Sequence, residues 1–269
     1  MHPIISRTAL GAWCCGLFVA AVAVLCLHVT GARAATPAAP EAAPAPKAQP
    51  TVTVTCSWDD GHRNDVRLTE LLRAHGARAT FYIYPENYVL YLKDPEAGLK
   101  KDPFLTVPHD RFVAAYAGME VGAHGFEHLD MTKLSPEALT YQLTESKRVL
   151  EAWFGRPVTG MAYPYGANNA AVREAVKKAG YLHARAGMKK AAIAPIADPY
   201  ALEVSLHFKD KAFWDEFARV KTAGGIFHFW GHSHEIATEE QWKEFEERLV
   251  RLQADASVRW ATNGELFRQ

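Results

Sequence analysis

Cysteine is almost missing where it would matter. Of the four, Cys14, Cys15 and Cys26 fall in an apolar front end, which leaves Cys56 alone in the remainder. One cysteine excludes an intrachain disulfide, so an exported domain made from this chain must be held by its core. Cys56 lies in a strand-like run with no activating base evident, and reads as a small buried residue, not a nucleophile. Net charge is lacking too. Lys+Arg 30 against Asp+Glu 30 leaves none, so nothing points to a polyanion such as nucleic acid, and no feature calls for a protein partner. No internal repeat is visible.

What is present begins with an export signal. His2 and Arg7 supply a basic start, Ala9 to Val29 an apolar stretch, and Ala32-Arg33-Ala34 an Ala-x-Ala cleavage pattern. The expectation is a signal peptide over 1–34, cut after Ala34. An apolar stretch of about 20 residues also has the length of an uncleaved membrane anchor, the one membrane attachment the sequence offers. The protein is accordingly expected outside the cytoplasm, periplasmic or extracellular. Residues 35–50 are almost entirely Ala and Pro, too poor in large apolar side chains to fold, and read as a linker.

From Thr51 to Gln269 strand-like and helix-like runs alternate. Strands are expected at Thr51–Trp58, Arg78–Tyr84, Met119–Ala123, Val158–Tyr163, near Tyr181–Arg185 and Ala201–Leu206, then at Gly225–Trp230 and Ser257–Trp260. Helical patterns fill most intervals. Alternation of this kind implies an α/β fold with a parallel sheet, and this many units suit a (β/α) barrel. Residues 86–108 read as a long connection carrying Tyr88, Tyr91 and Phe104, a candidate wall for a groove.

The chemistry gathers at strand ends. Asp59-Asp60-Gly61 closes the first strand, and His124-Gly125-Phe126-Glu127-His128 follows the third, 64 residues after Asp60. Adjacent strand residues alternate in direction, so the two carboxylates are expected on opposite sides, one to hold a metal and the other to handle protons. Two imidazoles and one carboxylate make three protein ligands and leave positions for water and substrate. That combination suits a metal-dependent hydrolase. Zinc fits such a set, and cobalt, nickel or iron fit similar ones. Pro164-Tyr165-Gly166 closes a fourth strand, and Ile226 to Glu235 carries three histidines, of which His228 falls inside a strand and His232 just past its end.

These motifs, in this order, make the chain similar to the polysaccharide deacetylase family, carbohydrate esterase family 4 with its NodB-homology domain. The resemblance runs from about Thr51 to the C-terminus and rests on Asp59-Asp60-Gly61, on Val121-Gly122-Ala123-His124 with His128, and on Pro164-Tyr165-Gly166. It implies an irregular (β/α) barrel of about seven parallel strands. It also implies Asp60, His124 and His128 as metal ligands, Asp59 as general base, the Tyr165 N–H as oxyanion donor and His232, over His234, as the acid for the leaving group. Trp58, Tyr163, Pro164, Trp230 and His234 flank these motifs and are candidates for contact with an acetylated glycan.

Two places depart from the family pattern. The arginine that normally pairs with the catalytic aspartate is replaced by Ala162, and the Asp and Trp pair that tunes the last histidine has no clear match between Tyr181 and Phe208. Arg185, at the end of the neighbouring strand, is the expected replacement for the first; a separation above about 6 Å from Asp59 would count against it. The leading reading is removal of N- or O-linked acetyl groups from a polysaccharide or oligosaccharide. The alternatives are a small-amide deacylase on the same scaffold and a carbohydrate-binding protein that kept the metal site without turnover.

Overall fold

In a computed structural model the described residues are 52–102, 106–188 and 195–267. The expected signal peptide and linker, over 1–50, and Phe104 lie outside them. Strands β1 (Val52–Asp60), β2 (Ala79–Ile83), β3 (Glu120–Ala123), β4 (Gly160–Ala162) and β5 (His183–Met188) pair in sequence order, all parallel. Strand β8 (Gly225–His232) takes the other side of β1. The ring is completed by one extended segment that changes partner. Its first part, β6 (Leu202–Val204), pairs with β5, and its second, β7 (Leu206–His207), pairs with β8. Ser205 between them donates its N–H to the His228 carbonyl at 2.7 Å. With β6 and β7 taken as one strand the ring has the seven strands expected of the irregular barrel. A last strand, β9 (Val258–Trp260), lies beside the start of β1.

The connections wind helices around the outside: α1 (Asp65–Ala74), α2 (Glu86–Lys93), α3 (Pro95–Lys101), α4 (His109–Ala115), α5 (Pro136–Phe154), α6 (Ala170–Lys178), α7 (Phe213–Ala223) and α8 (Glu239–Gln253). The long connection expected after β2 thus contains two short helices, the second begun by Asp94, whose side chain accepts from the Ala97 N–H at 3.0 Å. No helix among the described residues is long and apolar enough to cross a membrane.

Residue parity along β1 explains the two sides of the wall. Val52, Val54, Cys56 and Trp58 belong to the apolar layer under the helices, whereas Thr55, Ser57 and Asp59 carry polar atoms into the ring. Thr55 Oγ1 donates to Asn263 Oδ1 at 2.8 Å, and Ser57 Oγ lies 3.0 Å from His228 Nε2. His228 is therefore the core histidine its mid-strand position implied. Cys56 is free and buried, and burial pushes its thiol up to about 12. The end of the chain plugs the lower mouth, where Asn263 Nδ2 donates to the Tyr82 hydroxyl at 2.8 Å. With that mouth filled, the open one lies at the C-terminal ends of the strands, where folds of this kind carry their sites.

Candidate active site

Asp59 is the last inward residue of β1. It is 2% exposed, and its Oδ2 accepts a hydrogen bond from Arg185, itself 3% exposed. The separation criterion for Arg185 is thereby met. Ala162 and Arg185 are directly paired across β4 and β5, so the guanidinium reaches Asp59 from one strand further round the ring. Tyr82 and Trp230 hold it at 5.5 and 5.2 Å from their ring centres. Asp59 Oδ1 is buried and makes no hydrogen bond among the described residues.

The next residue breaks strand alternation. Asp60 has φ +80° and Gly61 φ +76°, and a Cβ on Gly61 would stand 2.8 Å from Ile83 Cγ2. This left-handed turn brings Asp60 to the same mouth as Asp59, where alternation alone predicted opposite sides. His124 Nε2 is 3.9 Å from Asp59 Oδ2 and 3.7 Å from Asp60 Oδ1. Three non-glycine residues have positive φ among the described residues: Asp60, His128 and Tyr165. Each is a site residue nominated from the sequence. Such a conformation costs about 1–3 kcal/mol, and it persists where surrounding contacts over-determine it.

Those contacts are visible around the histidines. Gln142 on α5 accepts from the Phe126 and Glu127 N–H groups at 3.0 and 2.8 Å through one oxygen, fixing the turn that carries His128. His124 Nδ1 lies 2.9 Å from the Ala162 carbonyl. A carbonyl only accepts, so Nδ1 bears the hydrogen and Nε2 presents its lone pair to the site. His128 Nε2 sits 3.5 Å from Asp60 Oδ1. Burial, with His124 beside it, pulls the His128 imidazole down to about 4, so it is neutral near pH 7. Asp60, His124 and His128 each aim one ligand atom at a common point, and Asp60 Oδ1 is buried without a hydrogen-bond partner among the described residues. An orphaned carboxylate oxygen facing two imidazoles is what a divalent cation would satisfy, so this donor set fits a metal.

His232 ends β8 opposite Asp59 in register, with Nε2 3.8 Å from Asp60 Oδ2. Burial opposes charge on this ring, but Glu235 and the Asp59 and Asp60 carboxylates outweigh it, and the imidazole titrates above its usual value. Glu235 lies in a 3₁₀ turn (Ser233–Glu235) ahead of α8, which is capped by Thr238. Its Oε2 accepts from the His232 N–H at 3.0 Å and from His207 at 2.9 Å. Sequence reasoning missed Glu235 and His207 as site residues. The available signal was a carboxylate three residues after the strand-end histidine.

A cavity of 330 Å³ opens over Asp59, His124, His128, Arg185, Trp230 and His232, with Tyr163 and Tyr165 at its border. A second, of 610 Å³, begins at Asp60 and runs past Tyr84, Tyr88 and His234. His234 therefore faces the neighbouring groove. Tyr165 is 73% exposed, with its ring 4.7 Å from that of His128. Two substrate-contact expectations, Trp58 and Pro164, are corrected. Trp58 is 0% exposed and packs between Phe208 and Phe245, at 5.0 and 5.3 Å, because strand parity turns it away from Asp59 into the helix layer. Tyr163 lines the cavity, as expected of a contact residue, while its hydroxyl donates to the Tyr200 carbonyl at 3.0 Å. Pro164 is buried outside the cavity lining and starts the turn that presents Tyr165.

A parallel ring that carries two adjacent carboxylates, two imidazoles and a strand-end histidine at one mouth is a (β/α) barrel with a candidate metal-hydrolase site. Comparison narrows the class: a family model described as polysaccharide deacetylase matches residues 46–184, and the chain belongs to that family. Among curated relatives, it is 26% identical over 133 residues to the peptidoglycan-N-acetylglucosamine deacetylase PgdA of Listeria monocytogenes, covering 49% of this chain and 25% of that protein. It is 25% identical over 130 residues to a chitin deacetylase of Pestalotiopsis sp, covering 48% and 39%. The match thus spans well under two thirds of those relatives. Among solved structures, a T48 deacetylase with substrate superposes with a TM-score of 0.52 at 20% identity, over 81% of this chain and 92% of that one. A family 4 carbohydrate esterase from Bacillus anthracis gives 0.52 at 16% identity, over 80% and 82%. At these identities the structural likeness establishes the fold.

Proposed function

We propose that this protein is a metal-dependent deacetylase that hydrolyses N- or O-linked acetyl groups on a polysaccharide or oligosaccharide. The observation that carries the reading is Asp59 itself: one oxygen held by Arg185, the other bare and buried, beside the Asp60, His124 and His128 cluster. Zinc suits those three ligands, and bound there it would supply Lewis acidity to a water and to the acyl oxygen. The chain's own groups do the rest. Asp59 Oδ1 takes the proton of the attacking water, while Arg185 holds the carboxylate in place. The Tyr165 N–H, on a backbone preset by its positive φ, donates to the developing oxyanion. His232 Nε2 protonates the departing amine or alcohol.

The two cavities that flank Asp60 suit a chain of sugars, with Trp230, Tyr165, Tyr84 and Tyr88 as aromatic surfaces and His234 as a polar contact. The names of the curated relatives, which act on peptidoglycan and chitin, favour an acetylated glycan over a small amide. The basic start, the apolar stretch and Ala32-Arg33-Ala34 favour export, with residues 35–50 as spacer and the catalytic domain from 51.

Release of acetate from a panel of acetylated glycans tests this reading. Release should need added metal, stop with a chelator and return with zinc. Asp59→Asn should abolish it while one equivalent of metal still binds. Glycan binding without acetate release under any metal would refute the enzyme and favour a binding protein.

A further inference from the structure

The mechanism above leaves His232 Nδ1 without a role. That atom is buried and makes no side-chain hydrogen bond among the described residues, while Glu235 Oε2 lies 3.5 Å away. Glu235 is not free to wander. Its Oε2 accepts from the His232 backbone N–H at 3.0 Å and meets His207 Nε2 at 2.9 Å, and Lys209 Nζ donates to its backbone carbonyl. The direction of the chain can be read from its far end. The Lys209 N–H donates to His207 Nδ1 at 3.3 Å, so Nδ1 is the accepting nitrogen and Nε2 carries the hydrogen that goes to Glu235. The edge of Trp230 packs on both imidazoles, 5.2 Å from His207 and 5.4 Å from His232.

The same three side chains could also gather around a cation, since their ligand atoms lie within 4.8 Å of one another. The Lys209 contact argues against this. It places the His207 hydrogen on the nitrogen that would have to bind the ion.

We propose that Glu235, buttressed by His207, is the positioning residue that fixes the His232 ring with Nε2 toward the cavity, and that His207 acts only through Glu235. This rests on His232 being the proton donor. Glu235 stands three residues from the histidine it orients, and His207 reaches it from β7. The pair thus does from two other segments what the missing Asp and Trp pair would have done.

A kinetic cycle with Glu235→Ala, Glu235→Gln and His207→Asn tests the proposal. General acid catalysis is worth about 10²–10⁴-fold, and misorientation should forfeit part of it. Glu235→Ala should lower kcat by roughly 10- to 100-fold with KM unchanged, on that scale. Glu235→Gln, whose amide oxygen accepts in the same place, should recover part of the loss. His207→Asn should cost less than Glu235→Ala and nothing further when combined with it, because residues in one network are not additive. In ¹⁵N-histidine spectra a hydrogen-bonded His232 Nδ1–H should be lost in Glu235→Ala and kept in Glu235→Gln. If Glu235→Ala does not fold, Glu235→Gln with His207→Asn completes the cycle.

Multiplicative losses, an effect on KM in place of kcat, or an unchanged His232 spectrum would overturn the proposal. So would a second bound metal that disappears with His207→Asn. The spectra and the metal count need no substrate. If the wild-type protein released no acetate, the functional reading would fall and the spectra would still decide the relay.

Discussion

Arg185→Ala is the most demanding perturbation the structure offers. The substitution removes the partner of an Asp59 carboxylate that is 2% exposed in the unsubstituted protein, and leaves neither oxygen hydrogen-bonded, since Oδ1 already lacks a partner among the described residues. Breaking a buried ion pair from one side costs about 3–5 kcal/mol, because the remaining charge stays desolvated. For a domain of this size about 2–4 °C is lost per kcal/mol, so melting should fall by roughly 6–20 °C. Chelator must be present throughout, because an ion bound to the native state would mask the loss by mass action. Neutralising the stranded charge should reverse much of it: Arg185→Ala with Asp59→Asn should melt above Arg185→Ala alone. Moving the cation back should do so as well. Ala162→Arg in the Arg185→Ala background places a guanidinium on the residue paired with position 185 across the sheet. A loss below about 1 kcal/mol, the scale of an exposed pair, or no recovery on neutralising Asp59, would refute the reasoning.

Two further outcomes follow from burial. Asp65 is 0% exposed, and burial, with Asp60 and Asp59 adding repulsion, raises its carboxyl to about 7 despite a hydrogen bond from Tyr116. A carboxyl whose folded value is raised contributes stability below its unfolded value near 4, and that contribution is lost as pH rises through 7. The loss amounts to about 4 kcal/mol at most. Asp65→Asn should flatten urea-derived stability between pH 4 and 8, and an identical pH slope in both proteins would sink the assignment. Trp58→Ala should cost about 3–5 kcal/mol as a core cavity and leave KM for the glycan unchanged. A raised KM at full stability would return Trp58 to the substrate.

The clustering of Asp60, His124 and His128 could be read from the sequence because each member sits beside a strand end, and parallel barrels bring strand ends together whatever lies between them. Arg185 was legible for a related reason: Ala162 left a charge unmet, and the neighbouring strand had one to offer. What resisted were features set by direction. Asp59 faces inward, so parity turns Trp58 outward, however near it stands to the motif. The positive φ at Asp60 then broke the alternation that would have parted the two carboxylates. His207 and Glu235 escaped because their encounter depends on a 3₁₀ turn and a change of strand partner, and neither has a short-range signature. The two helices after β2 were hidden by the length and aromatic content of the segment.

That change of partner at Ser205 gives the ring a seam. Strand β1 shares long ladders with β2 and β8 on its two sides, but here Leu202 and Val204 hold to β5 while Leu206 and His207 hold to β8. Circumferential tension therefore passes through two short stitches set side by side. Arg185 is the residue opposite Leu202 on one side, and Trp230 is the residue opposite His207 on the other. Any breathing of the wall there would reach Arg185, the counter-ion of Asp59, and Trp230, which packs on His232, together, and amide exchange should be faster there than along β1.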